Sequence, residues 1–141
     1  METQAKSLAT ALQALIQARL AADGGWLPFD RFMALALYAP GAGYYNVRTR
    51  PIGRMPSGGS DFVTAPELSP HFGRALARQV GQALQATGVD EVWEFGAGSG
   101  ALAGHIMAAL DAAGTPLLRY TIVDLSGTLR ARQQDTLAAF G

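Results

Sequence analysis

The chain has 141 residues, 49% hydrophobic and 16% charged, and its 11 basic and 11 acidic residues balance to a formal net charge of zero. That apolar content supports one core and argues against disorder, while the neutral balance gives no general attraction to a polyphosphate, so nucleic acid is not expected as a partner. Cysteine is absent, and the two histidines, His71 and His105, stand far apart in no H-x-x-x-H pattern; disulfides, thiol nucleophiles and a metal site are therefore not expected, and a reducing, cytoplasmic setting fits.

Leu8, Leu12, Leu15, Ile16 and Leu20 fall on one helical face, with Gln13, Gln17 and Arg19 breaking the apolar run. The pattern is an amphipathic helix and not a signal peptide; plain core packing is its ordinary use, and docking on a catalytic domain or a partner is the alternative. No segment reaches the roughly 18 uninterrupted apolar residues of a membrane helix, so no membrane association is expected. After Asp23-Gly24-Gly25, Pro28 opens a second helix carrying Phe29, Phe32, Met33 and Leu37, and Ala39-Pro40-Gly41 closes it. From Pro40 to Gly59 the chain is rich in Gly, Pro and Arg without periodicity, which predicts a long functional or mobile loop. Within it, Tyr44 and Tyr45 either line a pocket or anchor the loop, and Arg48, Arg50 and Arg54 are either solvated or contact a partner. Leu68, Phe72, Leu76, Val80 and Leu84 then step by four along one long helix, with Arg74, Arg78, Gln82 and Gln85 largely opposite.

The run Glu91-Val92-Trp93-Glu94-Phe95-Gly96-Ala97-Gly98-Ser99-Gly100 carries the most information. A short apolar strand breaks into three alternating glycines and leads into an apolar helix over 101–113, stopped by Gly114 and Pro116. Glycine tolerates positive φ at such a turn, and its missing β-carbon lets a ligand approach the amides at the helix start. Ala101 completes G-x-G-x-x-A, so the glycines alone leave NAD or FAD open. Glu94 tips the reading: its carboxylate can accept hydrogen bonds from a ligand ammonium, whereas it would repel a pyrophosphate. S-adenosylmethionine has the ammonium and no phosphate, and Glu94, Gly96, Ala97, Gly98 and Gly100 are the expected contacts. Leu117 to Val123 reads as a second, mostly buried strand ending at Asp124, placed to accept hydrogen bonds from ribose hydroxyls. Asp124 stands 28 positions after Gly96, close to the roughly 30 residues of a βαβ unit. Ser126 can cap a last helix running towards Phe140.

Gly59-Ser60-Asp61-Phe62-Val63-Thr64-Ala65-Pro66-Glu67-Leu68-Ser69, then Phe72-Gly73 and the glycine loop, resemble the MidA family of S-adenosylmethionine-dependent methyltransferases, whose mitochondrial members assist respiratory complex I assembly. Phe32-Met33, Ala36-Leu37-Tyr38 and Pro40-Gly41-Ala42-Gly43-Tyr44-Tyr45 resemble the family's opening, and Asp124-Leu125-Ser126 with Leu129-Arg130 and Gln133 match the region after its second strand. The resemblance runs from about Phe29 onward, with two departures: Ser60 interrupts a usual Gly-Asp-Phe, and Asp124 stands where glutamate is common. It implies an α/β, Rossmann-like class I methyltransferase fold, a protein arginine substrate, and Asp61 beside the cofactor. Glu67 has the plainer account of a carboxylate in a helix's first turn, favourable to the helix dipole. The expected organisation is a helical and loop region over 1–87 and the first βαβα part of the cofactor domain over 88–141.

Such a fold needs about seven strands and only two are legible, so the chain reads as an incomplete enzyme, inactive alone, with catalytic residues unassigned. Its uncovered strands predict either self-association into a homo-oligomer that covers them or a chain truncated from a longer one. Two other functions remain: a catalytically silent binding or assembly module on the same fold, and an NAD-dependent oxidoreductase resting on Ala101.

Overall fold

In the computed structural model, the described residues are 2–47, 52–53 and 60–140, without the side chains of 2–9. Arg48, Arg50, Arg54 and Gly59 lie outside them. The chain divides into two compact units, Met1–Thr49 and Arg50–Gly141. The division expected at 87/88 is not where they part, because the helix ending at Thr87 packs on the helix that follows the glycine loop.

In the first unit, α1 (Glu2–Ala22) packs on α2 (Phe29–Tyr38). Leu12, Ile16 and Leu20 are half-buried, one turn apart on the expected face, while Leu15 is exposed. Pro28 occupies the N-cap of α2 at φ −56°, and the Ala39 N–H closes its end on the Leu35 carbonyl. The segment from Pro40 is not loop throughout: Tyr44–Val47 form a helical turn, α3. The two tyrosines serve as its anchors. Tyr45 stacks on Tyr38 at 5.6 Å, Tyr44 meets Tyr45 edge-on at 4.9 Å, and Asn46 Nδ2 donates to the Tyr38 carbonyl at 2.6 Å.

In the second unit the expected long helix is two: α4 (Ala65–Leu68) and α5 (Pro70–Thr87). Pro70 disfavours helical backbone at the residue before it. Ser69 accordingly lies extended, at φ −161° and ψ 143°, and its hydroxyl caps α5 by accepting from the His71 N–H at 3.2 Å. β1 (Glu91–Phe95) runs parallel to β2 (Arg119–Val123), with Glu91 opposite Arg119 and Phe95 opposite Val123; β2 is two residues shorter than the sequence suggests, Leu118 being exposed. Between them lies α6 (Ala101–Ala112), and after β2 comes α7 (Gly127–Leu137) with a closing 3-10 turn, Ala138–Phe140. Ser126 caps α7 as expected, its fully buried hydroxyl accepting from the Leu129 N–H at 3.1 Å. Among the described residues no helix is long and apolar enough to cross a membrane.

The stripe that α5 buries differs from the one its large apolar residues suggest. Leu68, Phe72 and Leu76 are exposed, and the buried positions are Gly73, Ala77, Gly81 and Leu84. Small side chains let α5 lie close to α6, and Ala77 and Leu84 form the core with Ile106 and Leu110. Val92 and Tyr120 seal one sheet face against that cluster. Alternation along the strand sends Trp93 and Phe95 to the other face, where they are 58% and 73% exposed and stack at 6.5 Å. The uncovered strands expected from the sequence are therefore uncovered on one face only.

A β-carbon at Gly73 would lie 2.4 Å from His105 Cβ, whereas one at Gly81 would meet the Leu110 side chain at 3.4 Å and the Thr115 side chain at 3.7 Å, ordinary contact distances. Gly73→Ala should therefore push the helices apart and destabilise by about 1–3 kcal/mol. Gly81→Ala should be neutral, or gain up to about 1 kcal/mol from helix propensity. Urea unfolding of the two variants checks this, and equal effects would contradict the close approach at Gly73.

Candidate ligand-binding site

β1 keeps its pairing one residue beyond the strand, the Gly96 N–H donating to the Val123 carbonyl at 2.9 Å. The chain then turns onto α6 with φ of 70° at Gly96, 58° at Gly98 and 85° at Gly100, a region that no other residue type enters among the described residues. A β-carbon would be strained at all three, which is the physical reason for the alternation. Among the described residues nothing lies within 4 Å of a β-carbon built at Gly96. The Gly100 N–H closes the turn on the Ala97 carbonyl at 2.9 Å.

Gly100 caps α6 without a side chain, so Ser99 supplies the oxygen. Its buried hydroxyl accepts from the Ala101 N–H at 3.3 Å and donates its proton to Glu67 Oε1. Glu67 thus joins α4 to the glycine turn across 32 residues of sequence. A third wall is Ile52, which bridges to Phe62, is held through its carbonyl by Arg132 Nη1, and would lie 3.1 Å from a β-carbon at Gly98.

From α7, Gln133 reaches the underside of the turn. It is 5% exposed, and its Nε2 donates to the Gly98 carbonyl at 3.0 Å and to Asp124 Oδ2 at 2.9 Å. Both amide hydrogens are committed this way. Asp124 Oδ1 accepts from the Ser126 N–H at 2.9 Å, so the carboxylate at the end of β2 is fixed in orientation and tied to the glycine loop.

These elements enclose a cleft of about 290 Å³ walled by Ile52, Thr64, Pro66, Glu67, Phe72, Glu94, Leu102 and the turn from Gly96 to Ala101, Gly100 excepted. Among the described residues its ionisable lining groups are Glu67 and Glu94. Glu94 points to the sheet face of Tyr120, whose hydroxyl donates to Glu94 Oε2 at 2.8 Å. Burial raises the Glu94 carboxyl above the ordinary glutamate range, and the Tyr120 bond pulls partly against that. Tyr120 is pushed well above the usual phenol range by burial, then by the hydrogen bond to Glu94 and its negative charge. A larger hollow, about 700 Å³, lies between α5 and α6, lined by Arg74, Arg78, His105 and alanines. None of its lining comes from the glycine turn, so the smaller cleft is the better candidate despite its size.

Of the residues expected from the sequence, the structure brings Glu94, Gly96, Ala97 and Gly98 into the cleft wall and sets Gly100 in the turn against Gln133. Asp124 is outside the lining and linked to it through Gln133. Asp61 is exposed and also outside the lining. Ser99 and Gln133 have no role assigned from the sequence, and Glu67 has only that of a first-turn carboxylate. Gln133 did carry a signal, being a polar residue four positions after Leu129 on the buried side of α7; the partners of Glu67 and Ser99 are too distant in sequence to infer.

Three comparisons place this geometry among known proteins. A family model described as "Putative S-adenosyl-L-methionine-dependent methyltransferase" matches residues 75–141. A "likely methyl transferase" from Burkholderia thailandensis, crystallised with S-adenosyl-homocysteine, is 55% identical over 94% of this chain, with a TM-score of 0.85. An uncharacterised protein of the same superfamily from that organism, in a native crystal structure, is 53% identical over 94% of this chain, with a TM-score of 0.75. The chain spans about a third of each, 34% and 32%. No curated protein sequence matches it.

The raised pKa of Glu94 has a defined sign in stability. Its folded form holds a proton above the ordinary value of 4.5, so the stability it contributes is present at low pH and is lost as pH rises through the raised value. Relative to Glu94→Gln, the ligand-free wild type should lose melting temperature between that ordinary value and neutrality. Parallel pH profiles for the two proteins would show that Glu94 is not desolvated.

Proposed function

We propose that the cleft binds S-adenosylmethionine and that the chain carries the cofactor-binding βαβα part of a Rossmann-like class I methyltransferase acting on protein arginine. The observation that carries this reading is a positive-φ glycine turn whose cleft, among the described residues, is lined by two carboxylates and by no cationic side chain. A pyrophosphate would meet repulsion there, and a ligand ammonium would meet acceptors. The similarity to a structure holding S-adenosyl-homocysteine supports the same ligand.

The residues divide the ligand between them. Glu94 would accept from the methionine ammonium, and the missing β-carbon at Gly96 gives the approach to the backbone. Asp124, held by Gln133 and the Ser126 N–H, would present its remaining lone pairs to the ribose hydroxyls. When bound, S-adenosylmethionine supplies a methyl group already activated on a sulfonium, so the protein's work is alignment and exclusion of water. The arginine substrate rests on the resemblance to the MidA family.

Isothermal titration with S-adenosylmethionine, S-adenosyl-homocysteine and NAD tests the ligand. The first two should bind and NAD should not. Asp124→Ala removes one or two charge-assisted hydrogen bonds, each worth about 1.5–3 kcal/mol, and should weaken binding at least about tenfold. Gly98→Val combines a disfavoured φ with crowding against Ile52 and should do the same. A folded Gly98→Val variant with unchanged affinity, or preferential binding of NAD, would contradict the assignment.

A further inference from the structure

We infer that Gln133 is a specificity-determining residue: it holds Asp124 as a two-point acceptor, so that the site selects a nucleoside carrying both ribose hydroxyls over one that lacks either. The inference rests on the cofactor reading above and adds to it a positioning residue that acts through Asp124. Close backbone approach brings Gln133 to the turn, a β-carbon at Gly100 lying 3.4 Å from its Cα. Its side chain is buried, and Nε2 donates to the Gly98 carbonyl at 3.0 Å and to Asp124 Oδ2 at 2.9 Å. Both partners are acceptors only, so the amide has one workable orientation. Turned over, its own oxygen would face a carbonyl and a carboxylate.

The consequence lies at Asp124. Its Oδ1 accepts from the Ser126 N–H at 2.9 Å, so each carboxylate oxygen is held by a different donor. A carboxylate held at both oxygens is fixed against rotation, and each ionised oxygen can accept a further hydrogen bond. The result is two acceptors side by side in a set plane, to which two neighbouring hydroxyls can each donate. Without the Gln133 bond, Oδ1 keeps the Ser126 N–H and Oδ2 loses its donor. One hydroxyl would then still find a placed acceptor, and the second would not.

Titration of S-adenosyl-homocysteine and its 2′-deoxy and 3′-deoxy analogues into wild type, Gln133→Met and Asp124→Ala tests this. Wild type should bind either analogue about tenfold or more weakly than the parent, as expected for one lost charge-assisted hydrogen bond. Gln133→Met keeps the volume and removes the donor, and it should discriminate against the analogues at least about threefold less than wild type. Asp124→Ala should lose the discrimination, and adding Gln133→Met to it should not move the ratio further. A residue that only braced Gly98 would weaken parent and analogues alike, so an unchanged ratio in Gln133→Met would overturn the role. Two measurements on wild type do not depend on that variant folding. Loss of affinity confined to one of the two hydroxyls, or to neither, would overturn the two-point acceptance. The Gln133 side-chain amide protons should shift more on adding S-adenosyl-homocysteine than on adding its 2′,3′-dideoxy analogue, and equal shifts would overturn the link to Asp124. If wild type binds none of these ligands, the cofactor reading itself fails and this proposal with it. If it binds the parent and the ratio ignores Gln133, only this proposal fails.

Discussion

The Gln133 amide, donating at once to the Gly98 carbonyl and the Asp124 carboxylate, is the interaction on which the site depends. A turn with three positive-φ glycines has the largest backbone entropy to lose on ordering, so it needs partners from outside itself. Gln133 supplies them from beneath, Glu67 from the α4 side through the Ser99 hydroxyl, and Ile52 across the top. Because the same amide holds Asp124, the exits of β1 and β2 are set relative to each other by one buried side chain. Its removal would leave a buried carbonyl and a carboxylate short of a donor, each costing about 1–3 kcal/mol.

Helix packing puts that turn where it is. Gly73, Ala77 and Gly81 let α5 approach α6 closely, and the pair covers the Val92 and Tyr120 face of the sheet. Tyr120 then has its ring in the core and its hydroxyl on Glu94. The acid is thereby half-buried at the cleft without being an orphan. Desolvation raises its pKa and the Tyr120 hydrogen bond partly offsets that, so a cationic ligand in the cleft would favour its ionised form; among the described residues the wall holds no basic side chain.

Much of this was legible in the sequence where the signal is local. Alternating glycines after Glu91–Phe95, the acid at Glu94, the cap at Ser126 and the second strand ending before Asp124 all follow from backbone and periodicity rules, and the structure has each of them. The break at Ser69 was equally local and lay in the Ser-Pro pair. The face of α5 was not legible, because counting large apolar residues favours Phe72 and Leu76 while close helix approach favours the glycines and alanine. Glu67 and Gln133 were underrated for a different reason: their roles depend on Ser99, Gly98 and Asp124, between 9 and 35 residues away.

The central claim is that the ligand sits on the turn braced by Gln133 and not in the larger hollow between α5 and α6. Backbone amide chemical shifts followed during titration with S-adenosyl-homocysteine address it most directly. The account predicts the largest perturbations from Gly96 to Ala101, with smaller ones at Glu67, Asp124 and Gln133 and little change at Ala75, Ala108 or Ala112. Perturbations centred on the α5 and α6 hollow, with the glycine turn unmoved, would contradict it.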